Sequence, residues 1–227
     1  MRLLAIDTAL AACSAAVLDT EHGGIVASES LPMIRGHAEA LLPLLSALMD
    51  KAHMTLRDLD RVAVTTGPGS FTGLRVGIAA ARGIAVAVDK PAVGVSTLSA
   101  YAAPHLAADE ALPVVAAIDA RHGQVYLQVF GFGGRTTAGP RLATLSEAVQ
   151  AAAKVPARIV GSAALAVAAG LSAANARPAA VDARVAPDIA WVARVGAALP
   201  DGQSPPKPQY LRAPDAQPQN AAQLPRR

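Results

Sequence analysis

Aromatic residues and cysteine are scarce in this chain. Aromatic side chains make up only 3% of the 227 residues, and Cys13 is the single cysteine. One cysteine excludes a disulfide within the chain and leaves a cysteine-based zinc site without ligands. We expect Cys13 to be a small buried residue of the second strand. The core must then be built from Ala, Val, Leu and Ile, which favours close packing of helices on sheets in an α/β architecture.

Clustered positive charge is also missing. The formal net charge is +3, so the pI of about 9.3 reflects scattered arginines that lack enough carboxylates. A nucleic-acid footprint needs clustered Lys and Arg, and bases stack on aromatic platforms. We therefore do not expect strong, direct binding of nucleic acid by this chain alone.

Long apolar runs are the third feature that the sequence lacks. Arg82 interrupts the best one, and residues 161–174 are too few to span a bilayer. The N-terminus reaches the carboxylate of Asp7 too soon for the apolar core of a signal peptide. We therefore expect a cytoplasmic protein without membrane contact.

A glycine-rich stretch, TTGPGSFTGLRVG at residues 65–77, is the most informative feature that is present. It follows an apolar, strand-like segment and leads into a helical pattern of small residues. Such a turn brings backbone N–H groups and a helix dipole to one point, which predicts an anion site. It could equally be a place where two backbones approach closely. The residues assigned to this candidate anion or nucleotide site are Asp7, Thr8, Gly67, Gly69, Ser70, Thr72 and Gly73.

Asp7 ends the first predicted strand and allows two interpretations. A carboxylate repels a phosphate unless a cation lies between them, so a phosphate-binding role would require Mg²⁺ or a similar ion. Alternatively, its oxygens cap the adjoining turn. Ser70 and Thr72 would cap the next helix or donate to an anion, because no His/Asp pair can be placed beside them to make a nucleophile. The sequence thus predicts no catalytic residue.

The order of predicted elements indicates a duplicated fold. Three strands open the chain, and a strand at 114–118 that ends in Asp119 repeats the opening strand that ends in Asp7. We expect a first subdomain at 1–108, a smaller second one at 109–204 and a partly disordered Pro/Gln-rich tail at 205–227. Strands are predicted at 3–6, 14–18, 25–28, 61–65, 92–95, 114–118, 124–130 and 158–160. Helices are predicted at 37–52, 73–88, 97–108, 146–153 (with Ser146 as N-cap), 163–169 and 189–198.

The helix predicted at 37–52 is the clearest amphipathic one. Leu41, Leu44, Leu45 and Leu48 fall at the spacing of one face. Leucine also extends beyond that face, which suggests a second buried face of the kind that an oligomer interface uses.

Several motifs resemble the TsaB (YeaZ) family. They are LLAIDT at 3–8, RGHAEALLP at 35–43, the stretch at 65–77, PAVGVSTL at 91–98, AIDAR at 117–121 and PQYLR at 208–212. The resemblance is dense up to about residue 130 and sparse beyond it, except near Tyr210. It implies an actin-like ATPase (ribonuclease H-like, ASKHA) fold with two duplicated subdomains, the second reduced.

The resemblance also implies a function. The chain would be a non-catalytic scaffold for a TsaD-type threonylcarbamoyltransferase. With a TsaE-type ATPase, the pair would form N6-threonylcarbamoyladenosine next to the anticodon of ANN-decoding tRNAs. The chain would contact tRNA only through the complex, form a homodimer when alone, and meet ATP or ADP with Mg²⁺ only at the partner interface. The residues implied in that interface are His37, Leu41, Leu42, Leu45, Leu48, Arg75, Ile78 and Arg82.

The metal ligands of the TsaD-type relatives are not matched here. Those relatives carry a His-x-x-x-His pair after the strand that corresponds to 92–95, and two histidines four apart can chelate one ion. Thr97 and Tyr101 stand at the matching positions, so we expect no metal site. The alternative is a small actin-like ATPase or phosphotransferase that uses Asp7, the turn at 67–73 and Asp119.

Overall fold

A computed structural model of the chain describes residues 1–108, 111–200 and 206–212, which form two mixed five-stranded sheets with six α-helices. The first half contains β1 (Arg2–Asp7), β2 (Ala12–Asp19), β3 (Gly24–Pro32), α1 (His37–Lys51), β4 (Arg61–Gly67), α2 (Phe71–Val88), β5 (Ala92–Ser96) and α3 (Thr97–Ala108). The second contains β6 (Val114–Asp119), β7 (Gln124–Phe130), β8 (Thr136–Thr144), α4 (Leu145–Ala153), β9 (Arg158–Val160), α5 (Ala164–Ala173), β10 (Ala180–Asp182) and α6 (Ile189–Ala198).

The two sheets share one topology. The first has the strand order β3-β2-β1-β4-β5, and the second has the matching order β8-β7-β6-β9-β10. In each, the first strand runs antiparallel to the second and parallel to the fourth. This confirms the predicted actin-like fold of two duplicated halves. The second half is reduced: α4 has 9 residues where α1 has 15, and α5 has 10 where α2 has 18.

The last helix of each half packs on the sheet of the other half. Leu98 and Tyr101 of α3 lie in one apolar cluster with Ile118 of β6, whereas Val192 of α6 lies in a cluster with Leu3 of β1. A side chain at Gly196 would collide with Ala63 of β4, so α6 lies very close to the first sheet. The two halves are therefore interlocked through α3 and α6.

The helices α1 and α2 cover the other face of the first sheet. Leu41, Leu45 and Leu48 of α1, with Leu74 and Ile78 of α2, are almost completely buried there. Cys13 is buried in β2, as predicted, and burial raises the pKa of its thiol to about 11. The core is built almost wholly from aliphatic residues, which the scarcity of aromatic residues required.

Two strands and the N-cap of one helix were predicted incorrectly. The strands β8 and β10 were missed, because β8 contains Gly139 and Pro140 and β10 is only three residues long. The N-cap of α4 is Thr144 rather than Ser146. The Thr144 hydroxyl accepts from the Glu147 amide, and the Glu147 carboxylate accepts from the Thr144 amide, which together form a capping box. The break predicted at 109–110 and most of the predicted tail lie outside the described residues.

Helix α2 corrects one further expectation. By length and composition alone it is apolar enough to cross a membrane, although Arg82 was expected to exclude this. One such helix is weak evidence for a span, since a helix packed on a core passes the same test. Leu74, Ile78 and Ala81 of α2 pack in the core of the first half.

Candidate functional site

Asp7 is completely buried at the end of β1. Its Oδ1 accepts hydrogen bonds from the Thr65 hydroxyl (2.6 Å) and from the Ala9 amide (3.0 Å). Its Oδ2 is also buried and has no hydrogen-bond partner within the described part of the chain. Burial raises the pKa of Asp7, and the two hydrogen bonds only partly oppose this effect. Asp7 therefore caps the adjoining turn, which was one of its two predicted roles.

The glycines of the turn let α2 lie directly against the loop that follows Asp7. A side chain at Gly69 would collide with the carbonyl oxygen of Ala9, and one at Gly73 with that of Thr8. The Thr8 hydroxyl donates to the Gly73 carbonyl at 2.7 Å, which fastens the same contact from the other side. Close backbone approach, the second interpretation of this turn, thus accounts for Gly69 and Gly73.

The polar groups of the turn are mostly used within the chain. The Ser70 amide donates to the Ala9 carbonyl at 2.7 Å, and the Ser70 hydroxyl accepts from the Gly73 amide at 3.3 Å. Ser70 is the N-cap of α2, as predicted. The amides of Phe71 and Thr72 belong to the first turn of α2, where a helix offers its N–H groups no carbonyl partner of its own.

A nucleotide with Mg²⁺ fits this arrangement poorly. A carboxylate that binds a hard cation must be ionised and open to it, whereas Asp7 is buried and its pKa is raised. Its counterpart Asp119, at the end of β6, is exposed, and its Oδ1 accepts from the Arg121 amide at 2.8 Å. The residues predicted from sequence therefore form a packed turn in the first half and a solvated turn in the second.

Thr97 and Tyr101 are both buried on α3. The Tyr101 hydroxyl donates to the Arg184 carbonyl at 2.9 Å, and burial raises the pKa of this phenol. The Thr97 hydroxyl has no hydrogen-bond partner among the residues that the structure describes. Across residues 1–108, 111–200 and 206–212, no group of three or more His, Cys, Asp or Glu side chains could hold a metal ion.

Most of the predicted interface residues are not on the surface. Leu41, Leu45, Leu48 and Ile78 are core residues, and His37 is buried with its Nε2 atom 3.0 Å from the Leu10 carbonyl oxygen. The expectation that these five side chains offer contact area to a partner is wrong, because their apolar surface already faces their own sheet. Leu42, Arg75 and Arg82 are exposed.

The accessible face of α2 combines small residues with two arginines. It consists of Arg75, Ala79, Arg82, Gly83 and Val86, which are all exposed and lie on one side of the helix, and we name it the outer stripe. Val86 is 83% exposed, and a side chain at Gly83 would meet nothing within 4 Å. On the adjacent helix α1, Leu42 is 64% exposed. Residue spacing could have separated this outer face from the buried one.

Residues 206–212, which we name the C-terminal segment, had no predicted role in the site. In the structure this segment lies beside the glycine-rich turn: the Gln209 amide donates to the Thr66 carbonyl at 2.7 Å, and the Tyr210 ring packs on Phe71. The resemblance of PQYLR to a family motif was the only signal that pointed to it.

Comparisons with known proteins show what the chain is similar to. Residues 11–191 match the family model described as TsaD, tRNA N6-adenosine threonylcarbamoyltransferase. The chain is 41% identical over 126 residues to the tRNA threonylcarbamoyladenosine biosynthesis protein TsaB of Escherichia coli, and 38% identical over 129 residues to that of Haemophilus influenzae. These matches cover 56% of this chain in each case, and the chain spans about half the length of the two relatives, 53% and 52%. An uncharacterized Mycobacterium tuberculosis protein is 37% identical over 219 residues, which cover 95% of this chain and 94% of that protein.

Two solved structures are similar to most of the chain. A Pseudomonas aeruginosa protein described as similar to peptidase YeaZ has a TM-score of 0.75 at 30% identity, covering 93% of this chain and 99% of its own. YeaZ from the same species has a TM-score of 0.67, also at 30% identity, covering 84% of this chain and 88% of its own. These similarities show that the chain belongs to the TsaB (YeaZ) family.

Proposed function

We propose that this chain is a non-catalytic scaffold subunit for a TsaD-type tRNA N6-adenosine threonylcarbamoyltransferase. In this role it would support the formation of N6-threonylcarbamoyladenosine next to the anticodon of ANN-decoding tRNAs in the cytoplasm. The observation that carries the proposal is the 41% identity to Escherichia coli TsaB over 126 residues, which are 56% of this chain.

The side chains of the candidate site support a role without chemistry. Asp7 is buried and already accepts two hydrogen bonds, so it is poorly suited to hold a metal-bound phosphate. Thr97 and Tyr101 carry hydroxyl groups rather than the imidazoles that bind the metal in TsaD-type relatives. A threonylcarbamoyl transfer would therefore depend on groups that the partner supplies.

The outer stripe is the surface that we assign to the partner. Ala79 and Gly83 allow a second helix to approach closely, and Val86 offers apolar area that is unfavourable to leave in water. Leu42, on the adjacent helix α1, offers further exposed apolar area. A helix pair of the TsaD-type subunit would pack here, and a second copy of this chain would occupy the surface when the partner is absent. A TsaE-type ATPase would join the complex, tRNA would be contacted only through it, and any ATP or ADP with Mg²⁺ would be held at the partner interface.

Size-exclusion chromatography of the chain mixed with the TsaD-type protein of the same organism tests this proposal. We expect co-elution, and we expect Val86→Asp to abolish it because a carboxylate would be desolvated in the interface. Leu165→Asp is the matched control: Leu165 is 67% exposed on α5 of the other half and should leave co-elution unchanged. A wild-type chain that remains monomeric in the presence of the TsaD-type protein would refute the proposal.

A further inference from the structure

The C-terminal segment lies across the ends of strands from both sheets. Its Gln209 amide donates to the carbonyl of Thr66 near the end of β4, at 2.7 Å. Three residues later, the guanidinium of Arg212 donates to the carbonyl of Ala120, directly after β6, at 3.0 Å. One short stretch of chain is thus hydrogen-bonded to the first half at one end and to the second half at the other.

Its attachment to the first half is built from several contacts. The centroids of the Tyr210 and Phe71 rings are 5.2 Å apart, and the guanidinium carbon of Arg75 lies 3.8 Å from the centroid of Phe71. The Nε of Arg75 also donates to the Tyr210 hydroxyl at 3.2 Å. With only three Phe, three Tyr and one Trp in the chain, this contact uses two of its seven aromatic rings. Tyr210 is thus attached to α2 by a ring contact and a hydrogen bond, and the contact between Arg75 and Phe71 holds together the two side chains that receive it.

Gly67 fits the same attachment. A side chain at this position would lie 3.0 Å from the carbonyl oxygen of Gln209, so the backbone of the segment rests directly on the turn. Gly67 also has a φ of 109°, a conformation that other residues rarely adopt. The turn is therefore shaped on one side for the loop after β1 and on the other side for the C-terminal segment.

On the second half, the C-terminal segment contacts a strained turn between β6 and β7. Arg121 and His122 have φ values of 64° and 52°, in the left-handed region that is unfavourable for residues other than glycine. This turn joins β6 to β7, and the Ala120 carbonyl that accepts from Arg212 lies at its start. Such conformations persist when surrounding contacts hold them. Arg212 supplies one such contact from a distant part of the chain.

We propose that residues 206–212 are a clasp that fixes the two halves relative to each other. Tyr210 is its anchor on the first half and Arg212 its anchor on the second. The packing of α3 and α6 joins the halves through their cores, and the clasp joins them at their strand ends. Its removal should leave each sheet folded and should loosen the turn after β6.

Hydrogen–deuterium exchange of the full chain tests the clasp. The amides of Ala120 and Gln124 are hydrogen-bonded within the turn after β6, so their exchange reports its opening. We expect both Tyr210→Ala and Arg212→Gln to speed exchange at 119–125 by about fivefold, which corresponds to about 1 kcal/mol. The effect of Tyr210→Ala is decisive, because Tyr210 packs on the first half and a merely local role would change exchange only near Phe71.

Two further variants complete the test. Lys207→Ala is the matched control, since Lys207 is exposed in the same segment and takes part in none of these contacts, and its exchange should equal that of the wild type. Tyr210→Phe keeps the ring contact and loses the hydroxyl that accepts from Arg75, so it should raise the exchange rate at 119–125 by less than Tyr210→Ala does. Because this change is small, it tests the contact even if Tyr210→Ala misfolds. Unchanged exchange at 119–125 in Tyr210→Ala would overturn the clasp, even if Arg212→Gln speeds exchange there, because Arg212 contacts this turn directly.

Discussion

The two halves of the molecule share a strand order but treat the carboxylate at the end of their first strand differently. Asp7 is buried under α2, whereas Asp119 in the second half is exposed. Both turns bring a glycine against the backbone of the first strand or its loop: Gly69 approaches Ala9, and Gly161 approaches Ala117. Only the first half continues with Gly73 and Gly77, which also contact Thr8 and bring the long helix down over the aspartate. Duplicating a topology therefore does not duplicate the chemistry of a site.

The helices of the two halves also differ in how they are stabilised. Helix α1 begins after Gly36 without a side-chain cap and buries a row of leucines, so its stability comes from the core. The shorter helix α4 begins with a capping box between Thr144 and Glu147 and buries mainly alanines. The first half thus depends on packing and the second more on local hydrogen bonds, and each of the following variants tests one side of this difference.

The largest effect is expected in the leucine core. Leu48→Ala should destabilise the protein by about 2–5 kcal/mol, because it leaves a cavity between α1 and the first sheet. Leu42→Ala, on the exposed side of the same helix, should change the free energy of unfolding by about 0.5 kcal/mol or less. Urea unfolding of both variants gives the comparison. Equal losses would mean that α1 does not bury the face assigned to it.

A smaller but still large effect is expected at the glycine contacts of α2. Gly73→Ala places a methyl group against the Thr8 carbonyl and should cost about 1–3 kcal/mol. Gly83→Ala is the control on the same helix: the position is open, so alanine should stabilise the helix by about 0.5–1 kcal/mol. Opposite signs in urea unfolding are the expected result. An unchanged free energy of unfolding in Gly73→Ala would contradict the close approach of α2 to the loop after β1.

The burial of Asp7 predicts a pH-dependent contribution to stability. Burial raises the folded-state pKa of Asp7 above its unfolded value. The stability that its neutral form contributes is therefore complete below the unfolded pKa and is lost as the pH rises through the folded pKa. Asp7→Asn should remove this loss and make the melting temperature less sensitive to pH on the alkaline side.

Asp119→Asn is the counterpart in the second half. Because Asp119 is exposed, this variant should change the melting temperature at neutral pH only slightly. If Asp7→Asn instead unfolded the protein at neutral pH, the fold would require the ionised carboxylate, which would contradict a cost of burying that charge.

The smallest effect is expected at the capping box of α4. Hydrogen bonds from Thr144, with Arg141 nearby, lower the pKa of Glu147 to about 2. Its contribution is therefore present above the unfolded pKa and is lost as the pH falls through about 2. Glu147→Gln should flatten the acid side of the stability curve slightly. Melting temperatures of the wild type and Glu147→Gln, measured from neutral to acid pH, would reveal the difference. The same decrease at acid pH in both proteins would contradict a stabilising role of the ionised Glu147.

Regular, amphipathic segments were the most predictable part of the fold. The spacing of Leu41, Leu45 and Leu48 placed α1 correctly, and the repeat of a strand that ends in aspartate indicated the duplication. The missed strands β8 and β10 are the two edges of the second sheet, and each pairs with one neighbour, β7 or β9. Their local patterns therefore carry little information. Leucine occurs on both sides of α1, so the sequence did not show which leucines would remain exposed, and the buried Leu41, Leu45 and Leu48 were assigned to the partner interface together with the exposed Leu42.

The site was only partly predictable for a related reason. The glycines of the turn indicated either an anion site or a close backbone approach, and sequence alone could not choose between them. The choice depends on Thr8 and Ala9, which lie about sixty residues earlier in the chain and fill the space beside Gly69 and Gly73. The contacts of Tyr210 and Arg212 are more distant still, and only the fold brings them to the turn.

The central claim is that this chain supports threonylcarbamoyl transfer without performing it. The most direct measurement is the formation of N6-threonylcarbamoyladenosine on tRNA by purified components, with an acyl donor and metal supplied. We predict no product from this chain alone, and product from the TsaD-type and TsaE-type proteins that depends on adding it. Product formed by the isolated chain would contradict the claim.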